Sequence, residues 1–127
     1  MYIKNYAILF FILIVTNIVV AQNSKIETIS YEKVQIKPEF PSGIGEFMLF
    51  FVKNYQVPED EEFSGTANVS ITIQVDGKVT NIKIINDINS AISQEIKRVL
   101  SKCPKWKPAS QDGNNVAVIY NFPIKIQ

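Results

Sequence analysis

The chain has 127 residues, 13 basic and 12 acidic side chains, 46% hydrophobic content and no histidine. That length suits one domain of ordinary size, the composition is globular rather than disordered or collagen-like, and the near balance of charge offers no field to recruit nucleic acid or an anionic membrane. Cys103 is the only cysteine, so no internal disulfide can form and the fold must rest on packing.

In chain order, the opening stretch MYIKNYAILFFILIVTNIVVAQ begins with Lys4, is apolar from Ala7 to Val15, and reaches Val19, Val20 and Ala21 before Gln22. It reads as an export signal (residues 1–21) cleaved after Ala21. The alternative is an uncleaved inner-membrane anchor, since about 20 apolar residues span a bilayer, although Thr16 and Asn17 interrupt this run. Residues 22–37 are polar, with a weak alternation at Ile29, Tyr31, Val34 and Ile36 that fits either a short edge strand or a tether. The segment is read as a linker.

A folded domain is expected over residues 38–127. Ser42 stands where a cap would open a first helix, whose apolar positions Ile44, Phe47, Met48 and Phe51 recur at helical spacing and which stops before Pro58. Leu49 and Phe50 make this helix apolar on more than one side, so it should pack against a sheet and against something else, such as a partner chain. Next, Val69, Ile71, Ile73 and Val75 alternate with Asn68, Ser70, Thr72 and Gln74. Asp76-Gly77 supplies a two-residue hairpin turn, and Ile82 and Ile84 face inward on the return strand. Polar residues along one face imply a sheet covered on one side. A second helix carries Ile92, Ile96, Val99, Leu100 and Cys103 on one stripe, capped at Asn89 or Ser90 and stopped at Pro104. Lys97, Arg98 and Lys102 crowd its C-terminal half, where cations suit the helix dipole.

The closing stretch VAVIYNFPIKIQ alternates too. Val116, Val118, Tyr120, Phe122, Ile124 and Ile126 form one face, while Ala117, Ile119, Asn121, Pro123 and Lys125 form the other. Backbone donors alternate with the side chains. Pro123 has no N–H and is confined to edges or bulges, so the even residues should pair inward and the odd margin should lie open. Ile119 and Asn121 would then be able to pair with an added strand, the bland account being an edge merely protected from aggregation.

The search for chemistry is brief. Without histidine there is neither the commonest general base nor the commonest metal ligand. Gly43 and Gly45 lack the surroundings of a phosphate loop, and Cys103 sits on an apolar stripe. No catalytic residue, metal ligand or cofactor is expected, and the chain reads as a binding module rather than an enzyme. Trp106 in PKWKP is held between two prolines; it fits core packing or an anchor for a partner.

Four segments in this order, PEFPSGIGEFMLFFVKNYQVP, VDGKVTNIKI, the helix running into PKWKPA, and VIYNFPIKI, resemble the C-terminal domain of the TonB family of energy transducers in the version common in Bacteroidetes. The resemblance runs from about Pro38 to the end. It implies an α+β fold, a three-stranded antiparallel sheet with two helices packed on one face. It also implies a periplasmic location, or an inner-membrane anchor facing the periplasm. The partner would be a short TonB-box peptide of an outer-membrane receptor, added as a strand along Val118, Ile119, Tyr120, Asn121 and Phe122. KPEFP aligns with the family's receptor-touching Q-P-x-Y-P stretch, giving Lys37, Pro38, Phe40 and Pro41, with Lys37 in place of glutamine; Trp106 joins this candidate partner surface. A long proline-rich spacer of the kind found in typical members is missing from the linker. A non-transducing envelope assembly protein, associating with itself as a homodimer, is the alternative.

Overall fold

The computed structural model describes residues 27–59, 62–86 and 88–127; the export signal or anchor expected over residues 1–21 lies outside the described residues. Seven elements follow one another: β1 (Thr28–Ser30), α1 (Ile44–Asn54), β2 (Gly65–Ile73), β3 (Val79–Ile84), α2 (Ser90–Ser101), β4 (Ala109–Gln111) and β5 (Asn114–Ile126). The sheet order is β1-β5-β2-β3, with β4 also paired to β5.

The antiparallel core β5-β2-β3 is the expected three-stranded sheet. Alternation puts Ala67, Val69, Ile71 and Ile73 of β2 wholly inside, where they meet Phe122, Ile124 and Ile126 of β5, Phe47 and Phe51 of α1, and Ile92, Ile96, Val99 and Leu100 of α2. Both helices therefore cover the same face. Asn89 caps α2, its side-chain oxygen accepting from the N–H groups of Ala91 (2.7 Å) and Ile92 (3.3 Å), which satisfies donors that have no partner in a first helical turn.

Local details depart from the sequence reading in four places. Ser42 does not cap α1. It lies in the left-handed region at φ 68°, beside Pro41 at the centre of a turn closed by the Gly43 N–H donating to Phe40 O at 2.8 Å. Gly43 is the N-cap and supplies no side-chain bond. The β2–β3 turn is also displaced by one residue: the Gly77 N–H donates to Gln74 O at 2.9 Å, so Val75 and Asp76 occupy its centre and Gly77 takes the left-handed position that follows, at φ 88°. Val75 is consequently exposed rather than inward. A Cβ on Gly77 would fall 1.9 Å from Trp106 O, and the Trp106 N–H donates to Gly77 O at 2.9 Å. The hairpin tip and the PKWKP segment are thus in backbone contact.

The third is the stretch SQDGNN, residues 110–115, which reads from sequence as a loop before the closing strand and is a hairpin. Asp112 and Gly113 have φ of 51° and 80° between the paired residues Gln111 and Asn114, as the tightest antiparallel connection requires. The fourth concerns the expected linker, whose described part belongs to the domain. β1 pairs in parallel with residues 117–119 of β5. Val34 is buried with Ala109 and Val118 in a second small core, flanked by Ile29, Tyr31 and Val116. Ile36 and Glu39 form bridges to Ser110 and Lys107. A segment that buries Val34, pairs with β5 and exchanges backbone bonds between Ile36 and Ser110 cannot act as a free tether.

Candidate functional site

Which margin of β5 lies open follows from hydrogen-bond parity. Asn68 of β2 turns both backbone groups toward β3: its N–H donates to Asn86 Oδ1 at 2.7 Å, and its carbonyl accepts from the Ile85 N–H at 2.7 Å. The odd residues of β2 must then face β5. Because Val69 pairs with Phe122, the even residues of β5 bond inward and the odd ones face away. The Tyr31 N–H confirms the parity, reaching Ile119 O from the opposite side at 2.9 Å. Pro123 is an odd residue, so its missing donor falls on the outer margin.

That margin is free over only part of its length. β1 covers residues 117–119, so the outer carbonyl of Ile119 is occupied by the protein itself, whereas β4 bonds the even residues Asn114 and Val116 on the inward side. The expectation that Ile119 and Asn121 are both available is corrected: β1 ends at Ser30 and the chain turns away, leaving, among the described residues, an open outer margin from Asn121 to Ile126. It offers the N–H groups of Asn121 and Lys125 and the carbonyls of Asn121, Pro123 and Lys125.

The other residues singled out from sequence fall into two groups. Lys37, Ile119 and Tyr120 come together around Tyr31. Lys37 Nζ donates to Tyr31 O at 2.7 Å and sits 4.6 Å above its ring, while the Tyr120 ring lies 4.2 Å from that of Tyr31 and 5.0 Å from that of Phe122. Burial pushes the Tyr120 hydroxyl above its ordinary range, with Tyr31 and Glu32 adding to the rise. Asn121 is exposed on the outer face. Pro38, Phe40, Trp106, Val118 and Phe122, in contrast, are buried. Phe40 packs against Phe47, Phe50 and Trp106 with ring centroids 5.4–5.8 Å apart, and Trp106 lies edge-on to Phe47 at 5.1 Å. The indole is core surface, 3% exposed, with its Nε1 turned toward the neighbouring Cys103 rather than toward a partner site.

Sequence reasoning did not assign residues on α1 that border the open margin. Met48 and Val52 are exposed and, with Val57, Ile124 and Lys125, line a groove of about 210 Å³ between α1 and the end of β5. The signal was present in a helix apolar on more than one side, but only the fold shows which side stays uncovered. The α1 C-terminus is held by α2: Arg98 Nη2 donates to Asn54 O at 2.7 Å, and Glu95 Oε1 accepts from the Gln56 N–H at 3.0 Å. Glu95 and Arg98 also form an ion pair. The hydrogen bond from Arg98 is the main cause that holds the Glu95 carboxyl below the usual range.

Catalytic chemistry finds little here. Burial pushes the Cys103 thiol up to about 11, with the neighbouring Trp106 side chain opposing it, which is the reverse of what a nucleophile requires. Among the described residues no group of three or more acidic, cysteine or histidine side chains could hold a metal ion, and no helix is long and apolar enough to cross a membrane.

An open stretch of the outer β5 margin, two helices on one face and an outward proline are the frame into which the comparison with known families fits. The profile described as Gram-negative bacterial TonB protein C-terminal matches residues 59–125. The chain belongs to this family. TonB C-terminal domains are non-enzymatic, lie in the periplasm and contact outer-membrane receptors, and the match runs through β2, β3, α2, β4 and nearly all of β5. Comparison with curated proteins and with solved structures gave no match.

Proposed function

We propose that this TonB C-terminal domain is a periplasmic peptide-binding module. In this reading it takes an extended segment of an outer-membrane receptor onto the open margin of β5 by strand addition, in support of energy-dependent transport. The observation that carries it is the unpaired outer row from Asn121 to Ile126, with Pro123 facing outward and β1 setting its limit. Backbone bonds to such a row supply affinity, and alternate side chains supply selectivity. The site so proposed is shifted toward the C-terminus from Val118–Phe122, with Tyr120 and Lys37 at its border. Phe40 and Trp106 support it from the core rather than touching the partner.

Titration of the full-length chain with peptides from the periplasmic N-terminal segments of outer-membrane receptors tests this. The amides of Asn121 and Lys125 should shift first and most. Binding that leaves both unmoved would mean that the partner docks elsewhere. For residues 1–21 the reading is a cleaved export signal, and a mass for the protein from cells that lacks these residues supports it. An intact mass assigns them to an anchor and restores a membrane-tethered transducer.

A self-associating envelope protein is the second reading, favoured by the exposed Ile44, Met48, Leu49 and Val52 of α1. Sedimentation shows it as a dimer whose population rises with concentration, and a strict monomer removes it.

A further inference from the structure

We infer that α1 forms the second wall of the β5 site, so that the added segment is an extended peptide with large apolar side chains at alternate positions. This rests on the strand-addition reading above and specifies its ligand. α1 follows the direction of β5: the Phe47 ring lies 5.4 Å from that of Phe122, and one turn later Phe51 lines the groove together with Ile124 and Ile126. A strand added outside β5 would lie about 4.8 Å from it, beneath the flank of α1 that faces away from α2.

That flank carries Ile44, Met48 and Val52, each four residues apart on the helix and each exposed at 55%, 44% and 70%. Residues four apart on a helix rise about 6 Å, and residues two apart on a strand about 6.6–6.8 Å. The two repeats nearly coincide over three positions, two steps of each. Each inward side chain of the added segment therefore meets one of the three, while its backbone faces Asn121, Pro123 and Lys125. An open row of donors and acceptors beside an apolar row of matched spacing fits an alternating strand. A helix has no backbone groups to offer the β5 margin, and a lipid has neither the periodicity nor the donors. Leu49 is exposed at 56% but lies about 100° further round α1 than Met48, outside the groove, and so serves as the internal control.

The test uses the full-length chain and two fluorescent peptides flanked by acidic residues. In one, Leu alternates with Ser over six positions; the other has the same composition in blocks of three. The alternating peptide should bind at least tenfold more tightly. Met48→Lys and Val52→Lys, both at exposed positions, should each weaken it tenfold or more, and Leu49→Lys less than twofold. Val52→Ser repeats the test without adding charge. Equal affinity for the two peptides, or insensitivity to Met48→Lys and Val52→Lys while the Asn121 and Lys125 amides still shift, overturns the role of α1 and leaves strand addition standing. Absence of those amide shifts with both peptides overturns strand addition itself.

Discussion

Proline substitution along β5 discriminates an open margin from a closed one. At Lys125 the N–H faces outward, as at Pro123, so Lys125→Pro removes no ladder bond. Its cost is the restriction of φ to about −65° in a strand that prefers about −140°, on the order of 1 kcal/mol, or about 4–8 °C in midpoint for a domain of this size. At Ile124 the N–H faces β2 at the pair Ala67–Ile124, and Ile124→Pro both breaks that bond and empties a side chain only 3% exposed. Truncation alone accounts for about 2–5 kcal/mol and is measured separately with Ile124→Ala. The proline should cost roughly 3 kcal/mol beyond the alanine. Urea denaturation followed by far-ultraviolet circular dichroism reads all three variants. If Lys125→Pro costs as much as Ile124→Pro does beyond Ile124→Ala, the odd donors are already bonded and the outer margin is not free.

Gly77→Ala should cost about 3 kcal/mol or more in the same assay, combining the left-handed penalty with loss of the bond between Trp106 and Gly77, since a Cβ cannot sit 1.9 Å from Trp106 O. Glu95 has a depressed carboxyl, so its contribution is present above the unfolded-state value of about 4.3 and is lost as pH falls below it through the folded one; Glu95→Gln should flatten that acid loss of stability, and an unchanged acid profile would disprove the clamp. With the Cys103 thiol pushed up to about 11, its thiolate fraction at pH 8 is about two orders of magnitude below that of a free thiol, so disulfide reagents should label the native chain about a hundredfold more slowly than the urea-unfolded one. The same raised value contributes stability below the unfolded pKa that is lost as pH climbs from about 9 through 11, and denaturation midpoints that hold level across that range would contradict it.

Features fixed by local chemistry were legible in the sequence. Strict alternation in β2, a cap at Asn89 or Ser90 and the 3.6-residue stripe of α2 each need only neighbours along the chain, and the fold selects Asn89. Pro123 revealed its parity because a missing donor has one tolerable direction. What escaped depended on distant partners. β1 has three residues, and its alternation is too short to distinguish a strand from a tether until β5 lies beside it. Ser42 has the side chain of a cap, but the preceding Pro41 closes a turn that leaves it one residue early. The Val75–Asp76 turn is drawn one step from the expected position, with Gly77 seated against the Trp106 backbone. The exposed flank of α1 looked like any other apolar helix surface, because only the position of α2 decides which side is left over.

β1 joins the polypeptide upstream of it to the margin of β5 by three residue pairs. Load arriving from that direction would fall on this three-pair seam, which carries fewer backbone bonds than the nine-pair β2–β5 ladder. Were the seam to part, the receptive border would lengthen from the six residues 121–126 to the ten of 117–126, so that load on the polypeptide would expose more of the margin rather than less.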